Sequence, residues 1–139
     1  MNLQDPGLDD LIHTFASEWL RLTDPQIGER LVADPILVLG ADGTTAVPRA
    51  VFLAAVTARS AAVSAVPAAG TELTAARADA LGDRMVVATL SWAFSHGTSA
   101  TTLVGDFLLQ REEGDRLRCV AYLPRTNVME HLPPSATTG

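Results

Sequence analysis

Few side chains in this sequence could do chemistry, and they are widely spaced. Asp106 stands out because its neighbours are apolar, in the run Leu103-Val104-Gly105-Asp106-Phe107-Leu108-Leu109. A carboxyl group removed from water favours its neutral form, so an acid buried in such a run could serve as a general acid or base. Two orientations are open. In a regular strand Asp106 shares parity with Val104 and Leu108 and points away from the face bearing Leu103, Phe107 and Leu109. If Gly105 marks a β-bulge, Asp106 turns toward that face instead. Tyr122, the only tyrosine, is the second candidate. It is either a sheet-face aromatic or a hydroxyl donor to a ligand oxygen.

Other reactive residues do not assemble at a useful spacing. His13, His96 and His131 form no i,i+4 pair and no His-x-His, so no metal site is expected. Cys119 is the single cysteine, which excludes an intramolecular disulfide and a thiolate metal site. Lacking an obvious base, it reads as packing rather than as a nucleophile. Gly-x-Ser-x-Gly, the P-loop and Gly-x-Gly-x-x-Gly are absent, and no cofactor is expected. Arg118 and Arg125 are of a type that binds carboxylates, although solubilising arginine is the commoner role. All ten basic residues are scattered arginines and the net charge is −6, which argues against a nucleic-acid partner.

The elements that must position these groups follow from composition, period and turn chemistry. With 139 residues, 47% of them hydrophobic and 19% charged, the chain is expected to fold as one domain with a substantial core. We place that domain at residues 1–127 and a C-terminal tail at 128–139. Apolar stretches break well before the roughly 18 residues of a membrane helix, so no membrane partner is expected. Met1–Asp10 has no signal-peptide pattern, which makes a cytoplasmic location the expectation. Leu8, Leu11, Ile12, Phe15, Trp19 and Leu22 form one stripe of a first helix. Asp24–Pro25 starts a second helix that runs to Val32 or Ala33. Asp34–Pro35 stops it, and Ile36–Leu39 is a short strand followed by the Asp42–Gly43 turn signal. Pro48 opens a third helix from Arg49 to about Ser60, and Ala61–Gly70 reads as a connection. The period then changes to 2, with strands at about Glu72–Ala80, Arg84–Phe94, Thr101–Arg111 and Arg116–Leu123 separated by short turns. Short turns permit only antiparallel neighbours, so these four strands form a meander in an α+β fold.

Three passages carry a resemblance: LIHTFASEWLRLTDPQIGERLVADPILVLGADG, then VPRAVFLAAV, then DRMVVATLSWAF with TTLVGDFLLQREEGDRLRCVAYL. Two helices, an Asp-Pro stop, a short strand with a DG hairpin and a closing strand–DG–strand unit resemble the NTF2-like superfamily. The SnoaL-like and DUF4440-like members are the nearest in pattern. The resemblance implies three N-terminal helices packed on a curved, mainly antiparallel sheet, a half-open cone around an apolar pocket.

By that analogy Ala88, Leu90, Trp92 and Phe94 face the interior. So do Leu103, Gly105, Phe107 and Leu109, followed by Leu117, Cys119, Ala121 and Leu123. Phe15, Trp19 and Phe52 are added from the helices. The substrate-pocket candidates are Phe15, Trp19, Phe52, Leu90, Trp92, Phe94, Leu103, Phe107 and Cys119, with Trp19, Trp92 and Phe94 near the mouth; ordinary core is the other role open to them. The acids of the superfamily's enzymes do not carry over. The three steroid-isomerase positions fall on Ala16, Gly40 and Gly105, and no acid lies between Asp115 and Glu130, where a cyclase would have one. A hydrolase needs two carboxylates bridged by an arginine; Asp106 and Arg49 could be members, without a second acid.

The function implied is binding of an apolar, polyketide- or terpene-like metabolite. A cofactor-independent cyclisation, isomerisation or hydrolysis would then involve Asp106 or Tyr122. A non-catalytic binding or dimerisation module is the alternative. The opposite sheet face, Val87, Thr89, Ser91, Ala93, Val104, Asp106, Leu108, Val120 and Tyr122, is small and apolar. It is expected to meet a second copy in a homodimer.

Overall fold

The computed structural model of the chain describes residues 6–64, 70–96, 99–113 and 116–126. Helix α1 (Pro6–Trp19) buries the stripe Leu8, Ile12, Phe15, Ala16 and Trp19. The chain then turns, and Leu22 is buried in that turn rather than on the helix. Helix α2 (Pro25–Leu31) starts as its sequence dictates: Pro25 sits at the N-terminus, and the Asp24 carboxylate accepts the Gln26 N–H at 3.0 Å. Arg30 of α2 pairs with Glu18 of α1, which fixes the two helices together.

Strand β1 (Val32–Gly40) begins four residues earlier than the pattern predicts and runs through Asp34–Pro35, whose peptide bond is cis. Proline has no N–H for a ladder, so it is tolerated only where pairing lapses. That is the case here, because the register shifts between Val32, opposite Cys119, and Leu37, opposite Ala121. The Asp34 carboxylate meanwhile accepts the Arg49 N–H at 3.0 Å, at the start of helix α3 (Arg49–Ser64). Between them lies β2 (Gly43–Val47), a returning strand that the exposed sequence GTTAV does not announce. Gly43 turns the hairpin with φ of +115°, a conformation that favours glycine. Helix α3 extends to Ser64, beyond the expected end near Ser60.

Strands β3 (Gly70–Leu81), β4 (Met85–His96), β5 (Ser99–Glu112) and β6 (Arg116–Pro124) form the expected antiparallel meander. The six-stranded sheet has the order β2-β1-β6-β5-β4-β3 and is mixed, since β1 lies parallel to β6. The three helices and the inward residues of the sheet share one core. No helix among the described residues is long and apolar enough to cross a membrane. The tail assigned to residues 128–139 lies outside the described residues.

Two parities decide what the interior contains. Register is unbroken through Leu90–Gly105, Thr89–Asp106 and Ala88–Phe107, so Gly105 marks no bulge and Asp106 keeps the outward parity. The bulge lies on β6 instead. Leu108 faces Ala121 but Leu109 faces Cys119, leaving Val120 as the surplus residue. This corrects the sequence alternation: beyond Val120 the faces exchange, so Tyr122 points inward while Ala121 and Leu123 line the outer side.

Phe107 sits at the centre of the interior. Its ring lies 5.5 Å from Phe15, 4.9 Å from Trp19 and 6.1 Å from Trp92, all edge-on, and stacks on Tyr122 at 5.1 Å. These are the favourable geometries for aromatic pairs. Truncating Phe107→Ala is expected to cost about 3–5 kcal/mol. The loss should appear as a lower urea midpoint with an unchanged m value.

Candidate functional site

The end of α1, the last turns of α3 and the inner face of β3–β6 enclose a cavity of about 120 Å³. Its apolar wall comes from Trp19, Trp92, Phe94 and Leu103, with Gly105 as part of the floor. Leu20 and Thr71, both exposed, border it where it opens to solvent. An engineered apolar cavity of about 150 Å³ holds benzene, whereas drug-sized ligands occupy roughly 300–1,000 Å³. The space is of the order that takes a single ring, and it opens to solvent beside Leu20 and Thr71.

Tyr122 and Arg59 bring polar groups to this space, and the threonines Thr71 and Thr126 border it. Tyr122 comes from β6, immediately past the bulge. Arg59 comes from α3, seven residues after buried Phe52 and three after buried Val56, hence on the same helical stripe. Burial pushes the Tyr122 phenol above its ordinary range, and the Arg59 guanidinium beside it pulls it partly back. Tyr122 is therefore a neutral phenol near pH 7, and its own O–H remains available as a donor. Trp92, only 6% exposed, gives its ring to the wall, and its indole N–H is fully buried without a hydrogen-bond partner among the described residues. A buried, unpaired donor is costly and uncommon.

Gly105 is needed for this arrangement. A Cβ at position 105 would lie 3.1 Å from Tyr122 Cε1 and 3.2 Å from Phe107 Cε1, tighter than ordinary contact. The absence of a side chain lets the Tyr122 ring lie across β5.

The sequence candidates divide between cavity, core and outer face. Trp19, Trp92, Phe94 and Leu103 line the cavity together with Tyr122. Phe15, Phe52, Leu90, Phe107 and Cys119 are buried but do not border it. Phe15 instead borders a smaller recess of about 70 Å³ beside the Glu18–Arg30 pair. Burial pushes the Cys119 thiol well above its ordinary value, and it donates to the Ala121 carbonyl at 3.3 Å, so it is an inert packing group.

Asp106 is not brought to the cavity. It lies on the outer face, its side chain 19% exposed, accepting hydrogen bonds from Thr89 Oγ1 at 2.6 Å and Arg125 Nε at 2.5 Å. There it borders an apolar groove of about 280 Å³ with Leu39, Val87, Leu108, Ala121 and Leu123. Arg118 pairs with Glu112 at 2.8 Å, and Arg49 approaches the carbonyls of Glu29 and Val32, so neither faces the cavity. Among the described residues, no three His, Cys, Asp or Glu side chains gather where they could hold a metal ion. Sequence reasoning missed Arg59, Leu20, Thr71 and Thr126 as lining residues. For Arg59 the signal was its place on the Phe52–Val56 stripe.

Solved structures share this architecture. Aln2 from a Streptomyces species matches with a TM-score of 0.67 at 12% identity, over 94% of this chain and 98% of its own. Nuclear transport factor 2 from Cryptosporidium parvum matches at 0.65 with 13% identity, over 91% and 99%. A candidate ketosteroid isomerase from Shewanella frigidimarina matches at 0.63 with 8% identity, over 86% and 94%. The chain has the NTF2-like fold, and at these identities the likeness is one of fold. No family model matches the sequence, and no curated protein matches it.

Because Tyr122 is the only tyrosine, phenolate absorbance reads it alone. Its midpoint is expected above the unfolded value of about 10, and Arg59→Leu should raise it further. The unfolded chain ionises first, so the stability linked to Tyr122 is full below about pH 10 and falls as pH rises through the folded value. Tyr122→Phe should remove that part of the alkaline loss in denaturant titrations at several pH values, while the Cys119 part persists.

Proposed function

We propose that this chain is a small-molecule-binding protein of SnoaL-like character whose cavity takes a one-ring apolar ligand bearing a hydrogen-bond acceptor. The observation that carries this reading is a cavity with an apolar aromatic wall into which α3 and β6 bring the Arg59 guanidinium and the Tyr122 phenol. A ligand oxygen would be a partner for these donors. The candidate isomerase among the structural neighbours supports a small-molecule ligand.

Any turnover would be electrophilic and independent of metal or cofactor. A neutral phenol beside a guanidinium can donate to a carbonyl oxygen and stabilise negative charge developing there. Among the described residues no carboxylate or histidine lines the cavity to take a proton from carbon or to activate water. Cyclisation or isomerisation in which the substrate or solvent moves the proton fits this set better than hydrolysis. Asp106, held by Thr89 and Arg125 on the opposite face, has no part in it.

The same reading gives the outer groove to a second copy of the chain. Its apolar residues come from β1, β4, β5 and β6, on the face away from the helices. A two-fold pairing would cover it.

Two measurements test these statements. Thermal unfolding with a panel of one-ring carbonyl compounds should show a rise for at least one of them. Stabilisation of about 2.7 kcal/mol is expected at about 100 times Kd. No rise across the panel would leave association as the better function. Light scattering at micromolar concentration should give twice the 14.7 kDa chain mass, and Leu108→Arg should return it to one chain.

A further inference from the structure

We infer that the ligand is an anion, a one-ring carboxylate whose oxygens take up the Arg59 and Tyr122 donors. This rests on the cavity-binding reading above and narrows it to a charge state and a size.

Three observations converge. The first is charge. Among the described residues Arg59 is the only charged one lining the cavity, and its side chain is half-buried. Among the described residues no salt bridge joins it to a carboxylate, and Tyr122 beside it is a neutral phenol. A guanidinium partly withdrawn from water, with a neutral neighbour, favours an anion opposite it. Each of the other arginines for which a salt bridge is described, Arg30, Arg77, Arg118 and Arg125, has its own carboxylate within the chain.

The second observation is the sense of the hydrogen bonds. The Arg59 guanidinium has N–H donors and no acceptor. The neutral Tyr122 phenol has an O–H to donate. The Thr71 and Thr126 hydroxyls, which also border the space, can donate as well as accept. The cavity can thus present donors from both α3 and β6 to one ligand group. A carboxylate is the complementary group, with two oxygens and about four lone-pair sites. A neutral amide of the same shape would bring two donors of its own into the same space.

The third observation is size. About 120 Å³ bounded by Trp19, Trp92, Phe94 and Leu103 matches one planar ring, with the exposed Thr71 edge admitting it. The protein's net charge of −6 opposes an incoming anion at long range, so preference for one must come from the local donors.

The test is titration of the full chain with benzoate, benzamide and toluene, followed by the fluorescence of Trp19 and Trp92 and by calorimetry. Benzoate is expected to bind at least roughly tenfold more tightly than benzamide. Arg59→Gln should abolish that ratio while leaving toluene affinity within about twofold, and Arg59→Lys should keep part of it. Tyr122→Phe should weaken benzoate and spare toluene. Equal binding of benzoate and benzamide to the unaltered protein overturns the carboxylate assignment and leaves the cavity-binding reading intact. A benzoate preference that survives in Arg59→Gln overturns the role of Arg59. Failure of all three ligands to bind overturns both readings. If Arg59→Gln does not fold, the benzoate-to-benzamide ratio of the unaltered chain still decides.

Discussion

Val120 has no partner on β5, and the interior is arranged around that surplus residue. Strict alternation after Cys119 would send Tyr122 to the outer face and Ala121 and Leu123 to the inner one. Phe107 would lose the ring that stacks on it, and Arg59 would face a cavity without the phenol. A bulge costs one ladder position and reverses every side chain beyond it. On β6 it exchanges two aliphatic groups for one aromatic hydroxyl, at the point where α3 delivers a cation.

The two faces of the sheet handle polar groups differently. Outside, Asp106 is satisfied within the chain by Thr89 and Arg125, which makes it a structural acid. Inside, the polar groups are few, and one of them, the Trp92 N–H, is buried without a partner among the described residues. A folded chain tolerates such a deficit only against the strong packing of the Phe15, Trp19, Phe107 and Tyr122 rings. That contrast separates the face that encloses space from the face that is available to another surface.

Much of the fold was legible in the sequence. The Leu8–Ile12–Phe15–Trp19 stripe, the Asp24–Pro25 start and the turn at Gly82–Asp83 fix elements by local chemistry. The DG signal marked the hairpin to β2, but the parallel seating of β1 against β6 was not legible, because it depends on contacts between distant segments rather than on period. The candidate site was half legible. Trp19, Trp92, Phe94 and Leu103 follow from apolar parity. Tyr122 was recognised as a donor but set on the wrong side, since nothing in Cys119-Val120-Ala121-Tyr122 marks a bulge by composition. Arg59 was passed over because ten scattered arginines read as solvent-facing until helix phase is laid against Phe52 and Val56.

The hydrogen bond between the Asp34 carboxylate and the Arg49 N–H closes the chain on itself at the base of the β1–β2 hairpin. Everything between those two residues is an excursion that leaves and returns to one clasped point, with an exposed tip at Ala41 and Asp42. Length added or removed at that tip need not be transmitted to α3, because the helix is seated by the clasp and by Phe52 and Val56 rather than by the hairpin. The periphery of this fold can therefore diverge by insertion and deletion while the helix that carries Arg59 keeps its place.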